Sequence, residues 1–189
     1  MSKLYFRYAA MNAGKTTSLL QVAHNYQERG MKALICKPAT DTKAWDKLSS
    51  RIWLEKKVNI LIHQDDSLAD LLPQTWVDCI LVDEAQFLSP IQVDQLWYIA
   101  VKGGVPVICY GIRTDFMMRW FPGSTRLLEI AHSIEELKTI CRCGKKAVCN
   151  MRTINGEPIF QWDQVAIDGD VGYESVCGRC FLEERGREK

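Results

Sequence analysis

Apolar residues in this chain come in short bursts, and the spacing within the bursts switches between two periods. Leu4 to Ala9 is an apolar and aromatic run broken only by Arg7, which predicts a strand. Met11 to Thr17 is rich in small residues, and Leu19, Leu20, Ala23 and Tyr26 then recur at the interval of a helix that Gly30 is placed to stop. Ala33 to Cys36 reads as a buried strand ended by Pro38, Ala39 to Ser50 as polar loop, and Val58 to Ile62 as another strand. Ser67 to Leu72 predicts a short helix closed by Pro73. Val77 to Val82, apolar apart from Asp78, suits a central parallel strand covered on both faces. Ile91, Leu96 and Ile99 keep helical spacing up to Gly103, and Val105 to Tyr110 returns to a strand bounded by Gly111. Strand and helix thus alternate through residue 140. That order predicts right-handed crossovers, a parallel sheet, and ligands at the carboxyl ends of the strands. After Cys141 the runs shorten to Ala147–Met151 and Ile159–Trp162, the texture of a small β-rich module. The expected organisation is an α/β domain over residues 1–140 and a second domain over 141–189, with Glu183 to Lys189 a frayed, solvated end.

Composition narrows the classes. With 47% hydrophobic and 25% charged residues in 189, the chain can bury a sizeable core. Lys and Arg total 24 against 23 Asp and Glu, so there is no global field to hold nucleic acid or an anionic membrane, and neither is expected as a stable partner. Apolar runs fall far short of the roughly 18 residues a membrane span needs, and Lys3 and Arg7 interrupt the N-terminal stretch. A cytoplasmic location is expected, where the eight cysteines are thiols or metal ligands rather than disulfides.

Two motifs carry phosphate chemistry. Ala9-Ala10-Met11-Asn12-Ala13-Gly14-Lys15-Thr16 fits a phosphate-binding loop at Gly14, Lys15 and Thr16, with Ala9 in place of the first glycine. Between a strand and a helix, its backbone N–H groups would face an anion, Lys15 would meet the β- and γ-phosphates, and Thr16 would place its hydroxyl on Mg²⁺. The plain alternative is a small-residue turn with an exposed lysine. Asp83-Glu84 ends the apolar run Cys79 to Val82, which brings two carboxylates to the same sheet edge. Asp83 is assigned to the metal and Glu84 to the base that takes a proton from the attacking oxygen, against the alternative of a solvated turn or helix cap.

The cysteines form a third constellation. Cys141-x-Cys143 and Cys177-x-x-Cys180 suit a tetrahedral zinc with all four positions filled, a structural staple rather than a reaction centre; two disulfides are the alternative. Cys36, Cys79 and Cys109 fall on predicted strands as small hydrophobes, and Cys149 stands apart from both pairs. His24, His63 and His132 are scattered without partners at a recognisable spacing.

Taken together, Ala10 to Thr16, Asp83-Glu84-Ala85-Gln86-Phe87, Tyr110-Gly111-Ile112-Arg113-Thr114-Asp115-Phe116 and the cysteine pairs resemble the type II thymidine kinases, in order and over nearly the whole chain. The segments Asn25 to Met31 and Leu137 to Cys141 resemble the family as well. The resemblance implies a P-loop, RecA-like parallel sheet flanked by helices, plus a small C-terminal zinc-binding domain with a substrate-covering loop at about 163–173. It implies that ATP is held by residues 9–16 and by Asp83, Glu84, Ala85 and Gln86, and that Glu84 activates the 5′-hydroxyl of thymidine. It places Met11, Phe87, Phe116 and Tyr173 at the nucleoside and Asp41 and Lys43 near the substrate phosphates. Mg²⁺ with ATP, structural Zn²⁺, a homotetramer and feedback inhibition by thymidine triphosphate are implied likewise. Arg113, after a strand end, is a candidate to assist the phosphoryl group or to form a structural salt bridge. The rival reading is a nucleic-acid-dependent ATPase, since Asp83-Glu84-Ala85-Gln86 also resembles the acidic motif of helicases; a chain of this length with no basic excess counts against it.

Overall fold

A computed structural model describes residues 2–39, 47–49, 55–71, 76–161, 164 and 171–187. The alternation resolves into β1 (Leu4–Tyr8), α1 (Lys15–Glu28), β2 (Ala33–Pro38), β3 (Lys47–Ser49), β4 (Glu55–Lys57), β5 (Ile60–Ile62) and α2 (Leu68–Leu71). There follow β6 (Cys79–Val82), a 3₁₀ turn (Ala85–Phe87), α3 (Pro90–Lys102), β7 (Val107–Gly111), α4 (Pro122–Ile130) and β8 (Ser133–Glu136). The last elements are β9 (Cys149–Ile154), β10 (Glu157–Ile159), β11 (Val171–Val176) and α5 (Gly178–Arg185).

Six strands form a sheet in the order β5-β2-β6-β7-β1-β8, and every pair in it is parallel. The two-residue period of each strand divides its side chains between two cores. Leu34, Cys36, Ile80, Val82, Val107 and Cys109 face α3 and α4, where Val93, Leu96, Ala100 and Leu127 close the layer. Ile35, Cys79, Leu81 and Tyr110 face the other way, against Leu19, Leu20 and Ala23 of α1. β6 is buried along its whole length, as expected of a central strand between two layers. Ser89 and Gln92 form a capping box that starts α3, and Pro90 occupies its first turn.

β9, β10 and β11 make a separate antiparallel sheet, with a core of Met151, Phe160, Val176 and Phe181 beside the cysteines. The α/β parallel sheet with a small β-rich unit is thus the expected architecture, with three local departures. β3 and β4 pair inside the region around the predicted loop, an antiparallel ladder made by backbone pairing with little apolar pattern to announce it. The strand predicted from Val58 begins only at Ile60, because Asn59 is caught on Ile35, through its N–H to the carbonyl and its side-chain oxygen from the Ile35 N–H, both at 2.8 Å. The charged end is ordered helix as far as Arg185, since Phe181 packs edge-on against Phe160 at 5.2 Å and Glu183 pairs with Arg179 at 2.7 Å.

α4 docks on the 3₁₀ turn at Gly123, where a Cβ would lie 2.5 Å from the Leu88 carbonyl oxygen and 2.8 Å from that of Ala85. Those oxygens belong to backbone, so Gly123→Ala forces α4 off the turn that follows Asp83 and Glu84. The expected cost is about 1–3 kcal/mol of stability, typical of overpacking. It is read as a lowered urea midpoint with an unchanged slope, and an unaltered midpoint would show that the helix yields freely.

Candidate functional site

β1 delivers the loop 9–14 to the carboxyl edge of the sheet. Ala9 prolongs the strand, its N–H bonded to the Gly111 carbonyl at 3.2 Å. The turn itself is made further on, by Asn12 at φ 62° and Gly14 at φ 75°. Alanine is therefore tolerated at the start of the loop, because the left-handed conformation that favours glycine occurs elsewhere. Gly14 leads into α1 with no side chain capping the helix, so the first-turn N–H groups point outward, as an anion requires.

Lys15 is buried, its Nζ donating to the Ala10 carbonyl at 3.1 Å. Burial lowers its pKa, while Glu84 and Asp83 pull the other way. Thr16 donates its hydroxyl to Asp83 Oδ2 at 2.9 Å, joining the loop to the end of β6, and the Glu84 N–H reaches Asp83 Oδ1 at 3.0 Å. Asp83 is almost wholly buried, and burial followed by the neighbouring Glu84 carboxylate pushes its pKa well above the carboxylate range. A buried carboxylate beside a hydroxyl is an all-oxygen set suited to a hard divalent cation such as Mg²⁺. Glu84 has φ 49°, a strained conformation for a residue with a side chain. Gln86 Nε2 holds Glu84 Oε2, while Gln86 Oε1 accepts the Ile112 N–H at 3.2 Å. Ala85 is fully buried beneath them.

The small sheet supplies the opposite wall. Arg152, which the sequence reading passed over, is among the largest wholly buried side chains. Its guanidinium stacks 3.9 Å from the Phe116 ring centre, its Nε donates to the Tyr173 hydroxyl at 2.8 Å, and its Nη2 donates to the Gln164 carbonyl at 2.8 Å. Phe116 and Tyr173 are thus brought together by an arginine between them. Met11 is held against the same sheet by Asn150 and Ser175. Phe87 instead pairs edge-on with Phe121 at 5.6 Å. Arg113 lies 5.8 Å from the ring centres of both Tyr8 and Trp120 and lines a small cavity with Ala9, Ala10 and Asn150. Asp41, Lys43 and the part of the 163–173 segment carrying Asp168-Gly169 lie outside the described residues.

The ligand atoms of Cys141, Cys143, Cys177 and Cys180 lie within 4.8 Å of one another. Cys143 and Cys177 are 3.5 Å apart, far beyond a disulfide bond and close to the ~3.8 Å edge of a tetrahedron with Zn–S bonds of ~2.3 Å. None of the eight cysteines is in a disulfide, and Cys36, Cys79 and Cys109 are buried on their strands. The histidines take ordinary roles: His132 accepts the Leu4 N–H at 3.0 Å, and His24 pairs with Glu28 on the surface.

Among the described residues no helix is long and apolar enough to cross a membrane. The family model described as thymidine kinase matches residues 2–181. A thymidine kinase of Vibrio cholerae is 48% identical over 193 residues, covering 99% of this chain and 100% of its own. One of Mesorhizobium japonicum is 48% identical over 192 residues (99% and 94%), and one of Chromobacterium violaceum 44% over 185 residues (96% and 98%).

The raised pKa of Asp83 has a consequence for stability. The folded protein without ligands holds the Asp83 proton more tightly than the unfolded chain does, so this contribution is full below the ordinary carboxylate range and is lost as pH rises through the elevated folded value. Asp83→Asn, whose amide still satisfies the Thr16 hydroxyl and the Glu84 N–H, removes that loss. In urea titrations without ligands, the variant should exceed the parent by roughly 1–3 kcal/mol at pH 8. The gap should close near pH 4; a difference independent of pH would exclude Asp83 as its source.

Proposed function

The chain belongs to the thymidine kinase family and is an ATP-dependent kinase of thymidine, and we propose how its residues divide the work of moving the γ-phosphoryl group of ATP to the 5′-hydroxyl. The observation that carries the assignment is the Thr16–Asp83 hydrogen bond with Glu84 alongside, which joins a phosphate loop to an acid pair. The loop 9–16 wraps the phosphates with its N–H groups, and Lys15 exchanges its contact with the Ala10 carbonyl for the β- and γ-oxygens. Thr16 and Asp83 would hold Mg²⁺, which would offset the negative charge of the phosphate oxygens. Glu84 accepts the 5′-hydroxyl proton as the new O–P bond forms and the bond to ADP breaks. Gln86 occupies one Glu84 oxygen and leaves the other to act as base.

Phe116 and Tyr173, set by Arg152, form the nucleoside wall together with Met11 and Phe87, and the 163–173 segment covers it, excluding water that competes as acceptor. Residues 1–140 act as the ATP domain and 141–189 as the nucleoside-covering domain. Zn²⁺ on the four cysteines fastens the ends of β9 and β11, since Cys149 pairs with Val176 immediately before Cys177. A cytoplasmic homotetramer inhibited by thymidine triphosphate completes the reading; that product-like nucleotide presents the same base with a triphosphate to the same pocket.

ADP release from Mg-ATP tests the assignment with each nucleoside supplied in turn. Thymidine should drive turnover, and Glu84→Gln should lower kcat by about 10²- to 10⁴-fold with thymidine KM little changed. Turnover driven by DNA and by no nucleoside would sink it. Metal analysis should find one zinc per chain, lost in Cys177→Ser together with the cooperative unfolding of the small sheet; a zinc-free, fully folded parent would remove the staple.

A further inference from the structure

Asn150 on β9 and Ser175 on β11 stand directly opposite each other in the antiparallel ladder, and both side chains close on one residue of the phosphate loop. Asn150 Oδ1 accepts the Met11 N–H at 2.7 Å, and the Ser175 hydroxyl donates to the Met11 carbonyl. Both side chains are buried, at 3% and 7% exposure, and their bonds to the half-buried Met11 are therefore partly shielded from water. The Asn150 amide has one possible orientation, because its Nδ2 donates to the Thr114 carbonyl at 3.0 Å while Met11 N offers only a donor. One residue on, Asn12 takes its left-handed turn and its Nδ2 donates to the Tyr173 carbonyl at 3.3 Å. A non-glycine residue in that conformation is strained and persists only where neighbours hold it.

We infer that Asn150 and Ser175 are positioning residues for the nucleotide, gripping Met11 from the small sheet so that the loop presents its N–H groups to the triphosphate in one fixed shape. The inference deepens the kinase reading and rests on it for the catalytic consequence alone; the grip on the nucleotide is independent of what accepts the phosphoryl group. No described hydrogen bond links either residue to Lys15, Thr16 or Glu84, so their influence passes through the Met11 backbone. Donors already aligned before the ligand arrives add more to binding than donors that must be ordered by it.

Calorimetric titration of the full chain with Mg-ADP tests this. Asn150→Ala and Ser175→Ala should each weaken Mg-ADP about tenfold, the scale of one lost buried hydrogen bond. Ser175→Thr keeps a hydroxyl on a side chain that strands accept, and should stay within about twofold of the parent. The two alanine changes combined should weaken binding by no more than about the larger single loss, since both act on one residue. Thermal unfolding is run beside each variant, and if Asn150→Ala does not fold, the Ser175 pair decides. Unchanged Mg-ADP affinity in Ser175→Ala, or a Ser175→Thr variant as weak as Ser175→Ala, overturns the inference. A parent that binds Mg-ADP yet shows no thymidine-dependent turnover would overturn the kinase reading and leave the grip standing.

Discussion

The hydrogen bond from Thr16 to Asp83 joins the ends of two strands that are not neighbours. β1 brings the phosphate loop and β6 brings the acid, and β7 lies between them. β7 ends against the 3₁₀ turn that follows Asp83 and Glu84. It stops at Gly111, where a Cβ would lie 2.9 Å from Gln86 Oε1 and 3.2 Å from Gln86 N. The Gln86 amide fills that space, ties β7's exit to the 3₁₀ turn through the Ile112 N–H, and holds the strained Glu84. Because residue 111 is glycine, the Gln86 amide has room beside β7, and through it the turn after Asp83 and Glu84 is fixed to that strand.

The same crowding leaves charge in dry surroundings. Lys15 and Asp83 are both buried, and burial disfavours the ionised form of each, lowering the lysine's pKa and raising the acid's. Neither is fully answered by the other, since Lys15 is bonded to the Ala10 carbonyl and Asp83 to Thr16 and Glu84. A site built this way stores electrostatic need that a triphosphate and its cation satisfy together. Stability is lower than a neutral site would allow, a trade common where function requires preset charge.

Much of this was visible in the one-dimensional pattern. Cys79 to Val82 is a run short enough for a strand and apolar on both faces, so its place at the sheet centre followed, as did the position of Asp83 just beyond it. The phosphate loop and the cysteine pairs were legible because backbone geometry and metal geometry each demand fixed local spacing. Arg152 was not legible. It follows Met151 in a strand and carries no local signal that its charge is buried, because the groups that receive it, the Phe116 ring, Tyr173 hydroxyl and Gln164 carbonyl, come from distant segments. Asn150 and Ser175 escaped for the same reason: each looks like an ordinary polar strand residue until the β9–β11 register sets them opposite one another. The end of the chain is solvated as expected, but its exposed charges do not announce that 183–185 continue a helix, which Phe181 anchors from inside.

The alanine at position 9 shows how these layers depend on one another. In a loop that governs its own shape, a glycine at the start supplies conformational freedom; here residue 9 is still strand, bonded to Gly111 and nearly buried. The turning has moved to Asn12 and Gly14, and Asn12 lacks glycine's freedom. Its conformation is instead upheld from outside, by bonds that Asn150, Ser175 and the Tyr173 carbonyl make to residues 11 and 12. The register of those three groups depends on β9 and β11 keeping their alignment, and the cysteine cluster lies at the ends of those strands. The cysteine cluster and the loop 9–16, more than a hundred residues apart in sequence, are thus linked through one run of strand pairing and hydrogen bonds.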